Sequence, residues 1–144
     1  MKKVRVFKIA GKVFILFSAL GLLSVSLLAW YDPQMVMSLV DVELHNNDAL
    51  SSIRGVYGGV GISVCLMLIY FMISDVRKGL VFLSLFWGLY AFSRLLTIFA
   101  NGTLGEFGSH WLKIESVLCF ISLTLLINFQ FLENTKKTIT HEKI

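Results

Sequence analysis

Apolar residues fall into four blocks that short polar segments separate. The blocks cover residues 11–30, 55–74, 79–100 and 109–132. Each is close to the ~20 residues with which a helix crosses a bilayer core. Backbone groups in hydrocarbon must be hydrogen-bonded internally, and the blocks lack the polar–apolar alternation of barrel strands. The pattern therefore predicts an all-α integral membrane protein, with four transmembrane helices in an up-down bundle that forms a single domain over residues 1–132.

The polar segments differ in length. Residues 32–54 are longer than a turn and contain PQMVMSLVDVEL, whose apolar residues recur at helical spacing. A short helix lying at the outer interface and a loose loop both fit this segment. Before the second block, Asp48 and Ser51 are candidate helix caps. Residues 133–144 are predicted to form a polar cytoplasmic tail that is frayed or disordered.

Composition strengthens the membrane interpretation. Hydrophobic residues make up 56% of the 144 residues and the mean hydropathy is +0.77, whereas soluble domains are about 45–50% apolar. The first block follows a basic start, MKKVRVFK, as in a signal peptide. It is longer than the usual apolar core of about 7–15 residues, and no A-x-A-like cleavage site follows. An uncleaved transmembrane helix is predicted, with Trp30 and Tyr31 at its far interface.

Positive charge is distributed unevenly between the two sides of the predicted bundle. One side holds Lys2, Lys3, Arg5, Lys8, Lys12, Arg77, Lys78, Lys136, Lys137 and Lys143; the other side and its helix ends hold Arg54, Arg94 and Lys113. Short loops rich in Lys and Arg stay in the cytoplasm. We expect a multi-pass protein of the bacterial inner (cytoplasmic) membrane with both termini cytoplasmic. Membrane lipid is therefore an expected partner. The basic N-terminus is explained by membrane topology, so nucleic acid is not expected as a partner.

Two opposite charges lie at matching depth in consecutive predicted helices. Arg94 is six residues from the outer end of the third block, and Glu115 is six residues into the fourth. At 1.5 Å per residue each lies roughly 9 Å inside. An unpaired arginine at a helix centre costs about 2.5–3.5 kcal/mol, which a carboxylate offsets through two parallel hydrogen bonds. An Arg94–Glu115 ion pair is predicted, with Arg54 close enough to share the carboxylate.

Aromatic side chains surround this predicted cluster. By helical period, Trp87 and Tyr90 share the face of Arg94, and Tyr57 shares that of Arg54. Such residues would line a small polar pocket that opens outward. Two arginines against one glutamate leave a net positive charge, suited to an anion, a lipid headgroup or a quinone-like oxygen. The alternative is structural, because a buried ion pair can fix helix register without any ligand.

Small residues recur in the second and third blocks at spacings that allow close helix packing. The predicted packing residues are Gly55, Gly58, Gly59, Ser63 and Gly88. Packing within the chain is favoured over dimerisation, since four helices offer enough internal interfaces. A second copy of the chain or another membrane protein is the alternative partner.

Signatures of catalysis and metal binding are missing from the sequence. The three histidines are dispersed, with no His or Cys at ligand spacing, so neither a metal site nor a cofactor is expected. Cys65 and Cys119 lie inside apolar blocks, where free cysteines behave as small hydrophobes. No Gly-rich phosphate loop or Ser–His–Asp arrangement is readable, so a non-enzymatic role is favoured.

Three short stretches carry a family resemblance. They are IRGVYGGVGI with Arg54, SRLLTIFANG with Arg94, and WLKIESVL with Glu115. In these stretches the chain resembles a bacterial four-helix integral-membrane family of unknown function that is similar to DoxX-like membrane proteins. The resemblance implies four helices and the Arg/Arg/Glu cluster, but no substrate. Three roles follow as hypotheses: an accessory or interaction component; a binder or carrier of a small anionic or amphipathic molecule; and, more weakly, a membrane subunit of a redox system.

Overall fold

The chain is helical along almost its whole length. A computed structural model describes the backbone of residues 2–141 and the side chains of residues 4–133, and this part contains no strand. The helices are α1 (Lys2–Tyr31), α2 (Pro33–Ser38), α3 (Asn47–Ile53), a π-helical segment (Arg54–Gly59), α4 (Val60–Ser74), α5 (Val76–Asn101) and α6 (Glu106–His141).

Four helical stretches are long and apolar enough to span a membrane. They are Val4–Tyr31, Asn47–Ser74, Val76–Asn101 and Glu106–Glu133, of 28, 28, 26 and 28 residues. At 1.5 Å per residue they measure about 39–42 Å, more than the ~30 Å hydrocarbon core. The prediction of an all-α chain with four membrane-length helices is confirmed.

The last helix continues beyond its predicted end. Residues 133–144 were expected to be frayed, but α6 remains helical to His141. Neither glycine nor proline interrupts ENTKKTITH, so the loss of hydrophobicity there carries no signal that ends a helix. The side chains from residue 134 onward, and the backbone from residue 142, lie outside the described residues.

Helices α2 and α3 are each capped at the N-terminus by the side chain of the residue that precedes the helix. Asp32 caps α2 by accepting the backbone N–H of Gln34 at 3.0 Å, and Asn46 caps α3 by accepting that of Ala49 at 2.8 Å. The expectation that Asp48 or Ser51 caps this helix is wrong. Because α3 already begins at Asn47, both expected caps lie inside the helix.

The segment between α1 and α3 is an ordered loop that contains the short helix α2. The side chain of Gln34 holds the two ends of this loop together. Its Oε1 accepts the Leu44 N–H at 2.9 Å, and its Nε2 donates to the Val42 carbonyl at 3.0 Å. Val36 and Met37 are buried against the end of α1, whereas Met35 is 52% exposed. Of the two alternatives, the short helix is confirmed; its location at the membrane interface stays a prediction.

The chain divides into two compact units. One comprises residues 1–15 and 71–144, and the other residues 16–70. In the first, α5 and α6 form an antiparallel hairpin, and the start of α1 packs on α5 where Gly11 faces Val76. In the second, the C-terminal part of α1 packs on the π-helical segment and α4. The single domain expected over residues 1–132 stays a prediction.

Candidate functional site

The α5–α6 hairpin contains a buried ion pair between Arg94 and Glu115. Arg94 donates Nε–H to Glu115 Oε2 at 2.7 Å and Nη2–H to Oε1 at 2.8 Å. The two parallel charge-assisted bonds form a bidentate pair, the strongest arrangement of these groups. The glutamate side chain is 2% exposed and the arginine 22%. The predicted pair is therefore present, with its carboxylate enclosed and its guanidinium partly accessible.

A tight connection aligns the two charges. Only residues 102–105 separate α5 from α6. Gly102 adopts φ 98°, in the left-handed region that glycine occupies without strain, and donates its N–H to the Ile98 carbonyl at 3.1 Å. Arg94 lies seven residues before the end of α5 and Glu115 nine residues after the start of α6. Both charges thus lie roughly 10–14 Å from their helix ends.

Small polar residues continue the α5–α6 interface on the far side of the ion pair. The Ser84 hydroxyl donates to the Ser122 Oγ at 3.1 Å, and the Cys119 thiol donates to the Ser84 carbonyl at 3.5 Å. A Cβ at Gly88 would lie 3.4 Å from the Cys119 Sγ. Ser84 and Gly88 therefore pack against α6 within the chain. The preference for packing within the chain over dimerisation stays a prediction. The helical period places Cys119 and Ser122 on the face of Glu115, but the hydrogen bond between Ser122 and Ser84 was not predicted.

Two aromatic residues of the predicted site lie on α5 near Arg94. Trp87 is 7% exposed and makes an edge-to-face contact with Phe86, with ring centroids 5.1 Å apart. Its indole N–H has no hydrogen-bond partner among the described residues. Tyr90 is 44% exposed, with its ring centroid 6.4 Å from that of Trp87. The buried indole thus carries a donor that the described fold does not use.

Arg54 belongs to the other compact unit, where it begins the π-helical segment. Its Nε–H donates to the backbone carbonyl of Trp30 at 3.2 Å, and its side chain is exposed. Tyr57, in the same segment, is 39% exposed. Single π-helical turns are rare in proteins, and those that occur are often found at functional sites. That Arg54 shares the carboxylate of Glu115 stays a prediction.

The predicted packing glycines separate into two groups. Gly58 is buried under the indole of Trp30, and a side chain there would overlap that ring. By contrast, a Cβ at Gly55 or Gly59 would meet nothing within 4 Å in the described structure. Ser63 is also exposed, with its hydroxyl donating to the Gly59 carbonyl at 3.0 Å. Close packing within the chain thus uses Gly58 and leaves the Gly55–Gly59–Ser63 stripe open.

Comparison with known proteins places the chain in a family. A family model described as a domain of unknown function, DUF4345, matches residues 10–126. The chain belongs to the DUF4345 family. The DUF4345 match covers most of the four membrane-length helices and includes Arg54, Arg94 and Glu115. No curated protein and no solved structure matches the chain significantly.

Proposed function

We propose that the protein is a non-enzymatic accessory or interaction component of the bacterial inner membrane, in which the Arg94–Glu115 pair organises the α5–α6 hairpin. The bidentate, enclosed geometry of that pair carries the proposal. A general base must reach a substrate proton. Both oxygens of Glu115 accept hydrogen bonds from Arg94, and the side chain is 2% exposed. This carboxylate is suited to fixing helix register and poorly suited to proton transfer.

Substitution of Glu115 by glutamine tests the organising role. The variant should lose thermal stability in detergent, because it leaves Arg94 without its counter-charge. Unchanged stability would contradict an organising pair.

The charge distribution supports a location in the inner membrane with cytoplasmic termini. Arg77 and Lys78 lie at the turn between α4 and α5, whereas the α5–α6 connection has no cation. Cytoplasmic loops carry the excess of Lys and Arg. We expect alkaline phosphatase fused after residue 104 to be active, because the fusion point is outside, and the same enzyme fused after residue 77 to be inactive. The reverse pattern of activities would overturn the orientation.

A second role, binding of a small anionic or amphipathic molecule, is favoured by the unused donors of Arg94. A guanidinium has five N–H groups, and the pair with Glu115 engages two of them. The side chain is 22% exposed, so an oxygen of a lipid headgroup or a quinone-like molecule can approach the remaining donors. The unpartnered indole N–H of Trp87 is a further donor on the same helix.

Substitution of Arg94 by lysine distinguishes the two roles. Lysine keeps the charge opposite Glu115 but lacks the planar fork and the additional donors. An organising pair predicts a lower unfolding temperature with unaltered co-purified lipid, measured by thermal unfolding and mass spectrometry of the extracted lipids. A several-fold loss of one co-purified species at unchanged stability would favour the binding role instead. Lys113→Arg, at an exposed position two residues from Glu115, is the control and should alter neither measurement.

A membrane subunit of a redox system is the weaker alternative. It rests on the resemblance to DoxX-like membrane proteins alone. Cys65 is buried and Cys119 half-buried, and their thiols donate to the backbone carbonyls of Ala19 and Ser84 within helix interfaces.

A further inference from the structure

A groove of about 390 Å³ runs along the surface at the start of α5. It lies at the opposite end of this helix from Arg94, since the separation of 17 positions between Arg77 and Arg94 corresponds to roughly 25 Å. Its lining residues are Phe71, Asp75, Arg77, Lys78, Val81, Phe82 and Leu85. Three of these are charged and four are apolar, so the groove is amphipathic along its length.

The apolar part of the groove faces the surroundings of the protein. Val81 is 38% and Leu85 61% exposed, and they lie one and two turns beyond Arg77 on the same face of α5. The rings of Phe71 and Phe82 form the other wall, with centroids 6.3 Å apart. From Arg77 to Leu85 the wall extends about 12 Å along the helix axis. In a membrane this wall is in contact with acyl chains.

The charged end of the groove carries unneutralised positive charge. Asp75 Oδ1 caps α5 by accepting the backbone N–H groups of Arg77 and Lys78, at 3.0 and 3.4 Å. The Lys78 ammonium lies 3.8 Å from Asp75 Oδ2, and both side chains are exposed, so this contact is weak. The guanidinium of Arg77 has neither an ion pair nor a hydrogen bond within the described part of the chain. Two cations against one carboxylate leave a net charge of +1.

Helix α1 adds further cations at this end of the unit. A Cβ at Gly11 would lie 2.8 Å from Val76 Cγ1, so the two backbones approach closely beside the groove. Lys12 follows Gly11 directly, and Lys8 is one turn earlier on α1. Lys8 and Lys12 therefore belong to the part of α1 that packs beside the start of α5, although neither lines the groove.

We propose that this groove binds an anionic phospholipid, with the headgroup phosphate at Arg77 and Lys78 and an acyl chain along Phe71, Phe82 and Leu85. Basic pockets at the cytoplasmic ends of transmembrane helices attract anionic headgroups, by about 1 kcal/mol per cation. The apolar wall selects a molecule with a chain, because a free phosphate would leave it uncovered. The net positive charge selects an anionic over a zwitterionic lipid. This site is separate from the Arg94–Glu115 pair and does not depend on its role.

Lipid titration of the full-length protein in a neutral detergent tests the proposal, with bound lipid counted by native mass spectrometry. The wild-type protein should bind palmitoyl-oleoyl-phosphatidylglycerol at least tenfold more tightly than the phosphatidylcholine with the same chains. The Arg77→Gln/Lys78→Gln variant should bind phosphatidylglycerol about thirtyfold more weakly. Lys113→Gln, which removes an exposed cation that does not line the groove, should bind as the wild type does.

A second pair of variants tests the apolar wall. Leu85→Ala should weaken phosphatidylglycerol binding a few-fold, whereas Leu89→Ala should not. Leu89 is 64% exposed, close to the 61% of Leu85, but does not line the groove.

Four outcomes would overturn the proposal. Equal affinity for the two lipids would indicate an unselective lipid annulus. Equal binding of glycerophosphoglycerol, which has the headgroup without chains, would indicate a free-phosphate site. Unchanged phosphatidylglycerol binding by the double variant would exclude Arg77 and Lys78. A protein occupant would be indicated if the double variant changed the oligomeric mass while the wild type bound no lipid.

Discussion

Replacement of Glu115 by glutamine should lower the free energy of unfolding by about 3 kcal/mol, the lower end of the range for breaking a buried ion pair. Glutamine has nearly the same shape, so packing is preserved and the change removes chiefly the negative charge. Arg94 would then retain a permanent charge well inside a membrane-length helix, without its counter-charge. The value lies at the lower end because the arginine is 22% exposed, and water or headgroups can solvate part of it.

The measurement is thermal or denaturant-induced unfolding of the purified protein in a mild detergent. Glu106→Gln is a matched control, since it removes the same charge from an exposed residue in the first turn of α6. It should lower the free energy of unfolding by no more than about 1 kcal/mol, the most that an exposed carboxylate in the first turn of a helix contributes. If the two glutamine variants unfold alike, the Arg94–Glu115 pair does not organise the hairpin.

A double variant separates the cost of an unpaired charge from the value of the pair. Arg94→Leu/Glu115→Leu removes both charges and should recover most of the stability that Glu115→Gln loses, because apolar residues often replace a buried pair without net cost. A loss as large as the sum of the two single changes would mean that the residues are not coupled. A stable double variant without its co-purified lipid or partner would instead assign the charges to binding.

The ion pair was predictable because the positions of two charged residues and the helical rise are enough to locate it. Arg94 and Glu115 are six residues from the facing ends of two apolar blocks, and a short connection joins those blocks. The helical rise then fixes both depths, and the cost of a lone charge in lipid requires a partner. The atoms that form the bonds, and the enclosure of the carboxylate, depend on helix rotation and on the Ser84–Ser122 contact beyond the pair. The hydropathy pattern predicts neither the helix rotation nor the Ser84–Ser122 contact.

Helix boundaries were less predictable, because a run of apolar residues indicates which residues contact lipid and does not indicate where the helix begins or ends. The first apolar block begins at residue 11, whereas α1 begins at Lys2. Lysine and arginine are good helix formers, so the basic start continues the helix into a more polar environment. The cap of α3 was assigned wrongly for a related reason. Asn46, Asp48 and Ser51 are all capping residues, and composition alone does not indicate which of them has extended backbone angles.

Two features could be recognised only from the three-dimensional arrangement of the helices. The small residues of the second block occupy more than one helical register, and only the packing of α1 reveals that Gly58 is enclosed while Gly59 is open. The amphipathic groove combines Phe71, at the end of α4, with a face of α5, so neither helix displays it alone. Arg77 and Lys78 already account for the predicted orientation of the helices, and a second role for them depends on Phe71, which only the fold brings beside them.

The enclosed glycine leads to a further prediction with a large effect. Gly58→Val should destabilise the protein by about 2–3 kcal/mol, in the upper part of the range for overpacking. A side chain at Gly58 would overlap the indole of Trp30, and the carbonyl of that tryptophan accepts the hydrogen bond from Arg54. Relief of the overlap must rotate the indole away from its packed position or move α1 away from the π-helical segment, and movement of α1 also disturbs this hydrogen bond.

Gly59→Val is the matched control, because it places the same side chain on the next residue, where a Cβ meets nothing within 4 Å. Its unfolding temperature should stay close to that of the wild type, and Trp30→Ala should rescue part of the loss in Gly58→Val. Equal destabilisation by both valines would contradict the division of the glycines into packed and open groups.

The Gly59→Val variant also tests whether the open stripe of Gly55, Gly59 and Ser63 contacts another chain. If Gly59→Val keeps its stability but changes the oligomeric mass in detergent, the face of Gly55, Gly59 and Ser63 contacts a second copy of the chain or another membrane protein.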